Sequence, residues 1–260
     1  MFYIKTKEAI DWRRYMRNIK LVIQYDGSRY RGWQKLGDSD KTIQGKIESV
    51  LSLLTNEKIE LIGSGRTDAG VHAFKQVANF HTECDASEEE ILTYLYKYLP
   101  KDIVVIDAKE VDERFHSRYH AKGKKYLYRI WNSKMHNPFM IKHCTHIAEP
   151  LDIRLMRNAT PNFVGKRDFT SFTSRKSKNK SKERELYSIE ISKDNELMDI
   201  LFHGNGFLYN MARIIAGTLI EVGTGRISAE SIPRIFEKKD RSLSGPTAPA
   251  SGLILYDVEY

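Results

Sequence analysis

An acid and a base share one glycine-hinged stretch, Gly63-Ser64-Gly65-Arg66-Thr67-Asp68-Ala69-Gly70-Val71-His72-Ala73. Glycines at 63, 65 and 70 give the backbone access to positive φ and leave no Cβ in the way of a partner that must come close. Arg66 and Asp68 stand two apart, so in an extended segment they project to the same side, where a guanidinium favours the charged form of a carboxylate. A carboxylate kept ionised in this way is a nucleophile or a base in waiting. The same composition also suits a plain tight turn in which Asp68 bonds its own backbone, so the loop by itself has two readings.

Asp68 is held at the end of strand-like sequence. Ile59-Glu60-Leu61-Ile62 lies upstream, and Gln76 to His81 alternates as a half-buried strand does. Earlier, Ile19, Leu21, Ile23 and Tyr25 form one apolar face before the Asp26-Gly27 turn. Thr42 caps a helix whose stripe is Ile43, Ile47, Val50, Leu51 and Leu54. Ser87 and Glu90 make a capping box for a second helix that stops at Pro100, and Ile103 to Ile106 reads as a buried strand. Strand, helix, strand, strand, helix, strand is the order of a ferredoxin-like unit.

A second half opens after Phe115-His116-Ser117-Arg118. Lys124 to Trp131 reads as a strand with Tyr126, Tyr128 and Ile130 on one face, and a helix is expected from Leu151 to about Val164. The run from Arg175 to Arg184 has no apolar residue and is expected to be a mobile loop, either a solvated hairpin tip or a phosphate-gripping arm. Two alternating strands, Ser188 to Ser192 and Leu197 to Phe202, join through Lys193-Asp194-Asn195. A helix beginning near Phe207 carries an apolar stripe on one side and Asn210, Arg213, Ala216 and Gly217 on another. With both faces packed, Arg213 would be buried and would need an anion.

Composition limits the classes open to the chain. Its 260 residues allow one or two domains, and 42 Lys and Arg against 34 Asp and Glu give a net charge of +8, which favours a polyanionic partner. Cys84 and Cys144 are too few for a disulfide framework, and His143-Cys144-Thr145-His146 reads as strand residues rather than a metal site. No apolar run is long enough to span a bilayer and no signal peptide is evident, so a reduced cytoplasmic protein without membrane contact is expected. Residues 1 to 15 read as a basic arm, or as sequence upstream of a working start at Met16.

Gly65 to Ala73 is identical, without a gap, to the G-R-T-D-A-G-V-H-A signature of the TruA family of tRNA pseudouridine synthases. Four further blocks resemble that family in its own order: Tyr25 to Gln34, Lys124-Lys125-Tyr126-Leu127-Tyr128, Gly206 to Arg213, and Gly245 to Leu255. Gly165 to Phe172 is also similar, except that Arg167 replaces the usual histidine. The resemblance implies that Asp68 is the catalytic aspartate, that Arg213 pairs with it with help from Arg66, that Tyr126 stacks on the target base and that Leu253 packs near the uracil. The basic residues Arg29, Arg31, Lys124, Lys125, Lys176, Lys178 and Lys180 are then expected to meet RNA phosphates. Trp33 is either a stacking platform or a core anchor.

The implied fold is α+β: two ferredoxin-like α/β halves with largely antiparallel sheets joined around a central RNA-binding cleft. Residues 1–17 would be the arm, 18–112 the half carrying Asp68, and 113–260 the half carrying Tyr126 and Arg213. The implied reaction is isomerisation of uridine to pseudouridine at positions 38–40 of the tRNA anticodon stem-loop, by a homodimer without cofactor or metal. Asp68 would attack C1′ or assist proton removal from the sugar. The alternatives are a divergent paralogue acting on another structured RNA such as ribosomal RNA, and an RNA-binding module without chemistry. The second would show a broken acid or arginine position, whereas Arg66, Asp68, Tyr126 and Arg213 are all present.

Overall fold

The computed structural model describes residues 16–37, 39, 41–174 and 181–260. The arm at 1–15 and Lys176, Lys178 and Lys180 of the basic run lie outside the described residues. The first apolar alternation becomes β1 (Arg17–Tyr25), with Ile19, Leu21 and Ile23 fully buried. α1 (Ile43–Thr55) follows, the Thr42 hydroxyl accepting the Gly45 N–H as its cap. β2 (Ile62–Gly63) leads through the Asp68 loop into β3 (His72–Thr82). α2 (Glu88–Tyr98) has both bonds of its capping box, and extended backbone at Leu99 ends it before Pro100. β4 (Ile103–Val111) completes a unit in which β1 pairs antiparallel with β3 and β4, and β2 with β3. The order β4-β1-β3-β2 meets the ferredoxin-like expectation.

The second half repeats this order. It runs through β5 (Gly123–Asn132), β6 (Thr145–Ile147), α3 (Ile153–Ala159), β7 (Gly165–Asp168), β8 (Glu183–Asp194), β9 (Leu197–Gly204), α4 (Met211–Gly223), α5 (Ile232–Lys238) and β10 (Leu253–Glu259). Its main strands lie in the order β10-β5-β9-β8. The two units fuse through β10, which is antiparallel to β5 and runs parallel to β3 at Ile254↔His72 and Leu255↔Ala73. Among the described residues this makes one ten-stranded, largely antiparallel sheet.

Several boundaries differ from the sequence expectation, each for a local reason. Ile59 to Leu61 does not join a strand: the Ile59 N–H donates to Ser52 Oγ (3.1 Å) and the Leu61 N–H to the Glu48 carboxylate (3.0 Å), so α1 side chains satisfy this backbone. β4 is an edge strand with Ile103 and Val105 buried and Ile106 exposed. The helix expected over 151–164 stops at Ala159 and tightens into a 3-10 turn, Thr160–Phe163, that contains Pro161. The end of the basic run is not loop, because Glu183 and Arg184 already pair in β8. The β8–β9 turn is Asn195-Glu196, with Asn195 at φ 53°.

α4 begins at Met211 rather than Phe207, since Asn210 takes a left-handed conformation (φ 60°). Its far side is as buried as its stripe. A Cβ at Gly217 would sit 1.9 Å from the Pro246 carbonyl oxygen, which is how closely the 245–249 segment lies on the helix. Arg167, which stands where the family pattern has histidine, lies over the Phe236 ring at 5.2 Å and donates from Nε to the Val164 carbonyl. It therefore packs against the second half instead of reaching the cleft described next.

Candidate active site

The Asp68 loop is clamped by the segment that follows β1. The Tyr25 hydroxyl and Thr67 Oγ1 are 2.8 Å apart in the core, the Trp33 N–H donates to the Thr67 carbonyl (3.1 Å), and the Val71 N–H closes the turn on the Asp68 carbonyl (3.2 Å). Trp33 is 2% exposed and its indole lies 2.6 Å from where a Gly63 Cβ would be. Of its two readings, the core anchor is the one observed. At Gly32, φ is +95° and a Cβ would meet the Thr67 carbonyl oxygen at 2.6 Å. Gly32→Ala is therefore expected to push the Asp68 loop out of place and cut kcat by more than tenfold, with a Tm drop of several degrees. Kinetics beside thermal denaturation checks this, and unchanged kcat would mean that the clamp is dispensable.

Asp68 meets Arg213 across 145 positions of sequence. Arg213 Nη1 is 3.4 Å from Asp68 Oδ2, and the guanidinium is fixed by donating from Nε to the Ala248 carbonyl (2.7 Å) and from Nη1 to Asn210 Oδ1 (2.9 Å). Both side chains are mostly withdrawn from solvent, 27% exposed for Asp68 and 17% for Arg213. Burial pushes the Asp68 carboxyl above the usual carboxylate range, and Arg213 pulls it part of the way back. Desolvation therefore outweighs the arginine in setting this carboxyl. Arg66 is exposed and, among the described residues, makes no ion pair with Asp68.

Asp68 opens onto a cleft of about 850 Å³ that is also lined by Arg66, Tyr126, Arg213 and Leu253. The last three come from elements far apart in the chain, and β5, α4 and β10 deliver them to one place. Tyr126 is 8% exposed and stands edge-on to Phe207, ring centres 4.8 Å apart. Burial and the nearby Asp68 charge both raise its hydroxyl pKa, so the phenol stays neutral.

The cleft rim is cationic. Arg31, Arg66, Arg118, Lys124 and Arg184 line it. Lys124 donates from Nζ to the Ser64 carbonyl (2.6 Å), and burial together with Arg118 pushes its amine down to about 8. Two expected RNA contacts lie elsewhere: Arg29 is paired with Asp102 (2.6 Å) and Lys125 with Glu259 (2.7 Å), neither lining this cleft. Arg118 and Phe207 also line the cleft, as does Arg184, the last residue of the basic run for which a phosphate-gripping arm is one reading. Arg118 follows the quoted Phe-His-Ser triplet and Phe207 begins a quoted block, but only the fold shows which way they face.

The fold and site define a class. A family model described as tRNA pseudouridine synthase matches residues 21–120 and 159–260. The chain belongs to that family, whose members are isomerases acting on tRNA. It is 51% identical over 245 residues to "tRNA pseudouridine synthase A 2" of a Bacillus cereus strain, and 50% identical to the protein of the same name in Bacillus anthracis. It is 44% identical to "tRNA pseudouridine synthase A" of Acetivibrio thermocellus, and each match covers 94% of this chain and the whole of the relative. No helix among the described residues is long and apolar enough to cross a membrane.

Proposed function

We propose that the chain isomerises uridine to pseudouridine at positions 38–40 of the tRNA anticodon stem-loop, with Asp68 as the catalytic residue. The observation that supports this most is the meeting of Asp68 and Arg213 at the floor of a cleft walled by Tyr126 and Leu253 under a cationic rim. The N1–C1′ bond breaks, the uracil turns, C5 bonds to C1′, and the proton lost from C5 is matched by one gained at N1. Asp68 either attacks C1′ or takes a proton from the sugar to start this sequence, and both routes need its ionised form. The net reaction is an isomerisation, for which one carboxylate suffices, whereas glycoside hydrolysis ordinarily uses two.

The target nucleotide must leave its stack to reach a buried carboxylate. Tyr126 and Leu253 receive the base, and the Arg31, Arg66, Arg118, Lys124 and Arg184 rim holds the backbone by charge and shape. The reading includes a cytoplasmic homodimer, with one tRNA lying across both subunits, as the family resemblance implies.

Incubation with an unmodified tRNA transcript, followed by mass-spectrometric mapping, is expected to find pseudouridine at 38–40. Product only in ribosomal RNA, or none in any RNA, overturns the assignment. Because Tyr126 serves as an aromatic surface, Tyr126→Phe should keep most of the activity and Tyr126→Ala should lose most of it. The scale is set by about 1–3 kcal/mol for one base–aromatic stack. Equal rates in single-turnover assays of the two variants would argue against stacking.

A further inference from the structure

We propose that Asp26, His72 and His143 form a binding site for a first-row divalent cation of the zinc class, placed behind the Asp68 loop. One ligand atom from each side chain lies within 4.8 Å of the other two. The three come from separate parts of the chain: Asp26 follows β1, His72 opens β3 and His143 precedes β6.

His72 is the anchor. Its side chain is 4% exposed, and its Nε2 is buried without a well-formed hydrogen bond, the Ser251 and Lys142 backbone being the polar groups beside the ring. The Gly27 N–H donates to its Nδ1 at 3.1 Å, so that nitrogen presents a lone pair. Asp26 Oδ1 stands 3.1 Å from the same Nδ1, acceptor against acceptor. His143 Nε2 is 3.9 Å from the other carboxylate oxygen, Asp26 Oδ2, and the two imidazole centres are 5.0 Å apart.

A proton or a cation would relieve the Nδ1–Oδ1 contact, and either takes the lone pair now offered to Gly27. A single proton makes one imidazolium–carboxylate pair and leaves the other ring without a role in it, and a second proton would set two imidazolium rings against one carboxylate. A divalent cation instead uses both rings as neutral donors and the carboxylate as a third ligand. Two nitrogens and one oxygen suit zinc, cobalt(II) or nickel(II), whereas magnesium and calcium favour all-oxygen sites. Zinc–nitrogen bonds of roughly 2.0–2.1 Å require the ligands to draw together. His143 and Asp26 are part-exposed, 44% and 33%, which leaves room for a water as fourth ligand, while Asp26 Oδ1 also accepts the Ser28 N–H (2.9 Å) and the Ser28 hydroxyl, so Oδ2 is the oxygen left for a cation. The cation would tie the start of β3, four positions after Asp68, to the turn that follows β1.

The test is titration of the purified chain with Co²⁺, followed by its visible absorption and by metal analysis after gel filtration. One tightly bound equivalent per chain is expected, displaced by Zn²⁺, with Tm raised when Zn²⁺ is added. His143→Ala and Asp26→Asn should each lose that equivalent, while His146→Ala, which removes a neighbouring histidine outside the cluster, should keep it. No stoichiometric binding to the unaltered chain overturns the proposal, as does an equivalent that survives His143→Ala in folded protein. Metal content is read independently of pseudouridine formation, so the two readings stand or fall separately.

Discussion

Asp68→Asn is expected to abolish pseudouridine formation while leaving the fold and tRNA binding intact. The amide keeps the shape of the side chain but can neither attack C1′ nor take a proton from the sugar. Its effect on stability follows from burial. The Asp68 carboxyl has a higher pKa folded than unfolded, so the folded chain binds that proton more readily. Stability contributed by this group falls as pH rises from the unfolded to the folded pKa, and above that window the ionised side chain is a net cost. The amide never ionises, so Tm at neutral pH should match or exceed that of the unaltered protein. Arg213 retains the Ala248 carbonyl and Asn210 Oδ1 as acceptors, which limits the loss on its side. Product formed by Asp68→Asn at an ordinary rate would remove the residue from the mechanism. A steep fall in Tm together with lost activity would make its role structural.

Arg213→Gln is expected to act through the same carboxyl. Arg213 is the group that lowers the Asp68 pKa against desolvation, so its removal raises that pKa further. The ionised fraction at a given pH then falls, and the acid limb of kcat/KM moves to higher pH. A drop of about 10²-fold at neutral pH is expected, the scale for losing one preorganised electrostatic partner. Part of the loss should be recovered at higher pH, and Arg213→Lys should shift the limb less than Arg213→Gln. A pH profile that keeps its acid limb while the rate falls would show that Arg213 holds the 245–249 segment in place and does not tune Asp68.

Much of this site could be read along the chain because its parts are local patterns. The glycines around Asp68, the Thr42 cap, the Ser87–Glu90 box and the alternation of β5 need only near neighbours to be recognised. The need of Arg213 for an anion also followed from its position on a helix packed all round, and Asp68 supplies that anion at 3.4 Å. What could not be read depends on distant partners. The parallel pairing of β10 with β3 leaves no local mark, and neither does satisfaction of the Ile59 and Leu61 amides by α1 side chains. The start of α4 is likewise unmarked in the local pattern, because one left-handed residue, Asn210, delays it. Along the chain His143 stands beside Cys144 and His146, whereas folding sets it beside Asp26 and His72.

The place of β10 between β3 and β5 bears on how the protein is made. During synthesis the ribosome releases β3 and the Asp68 loop long before Leu253 to Glu259 emerge, so for most of translation the start of β3 is an open edge inviting wrong partners. Sealing that edge also delivers Leu253 to the cleft, so a nascent chain completes the cleft lining beside Asp68 in the same late event that joins its two halves.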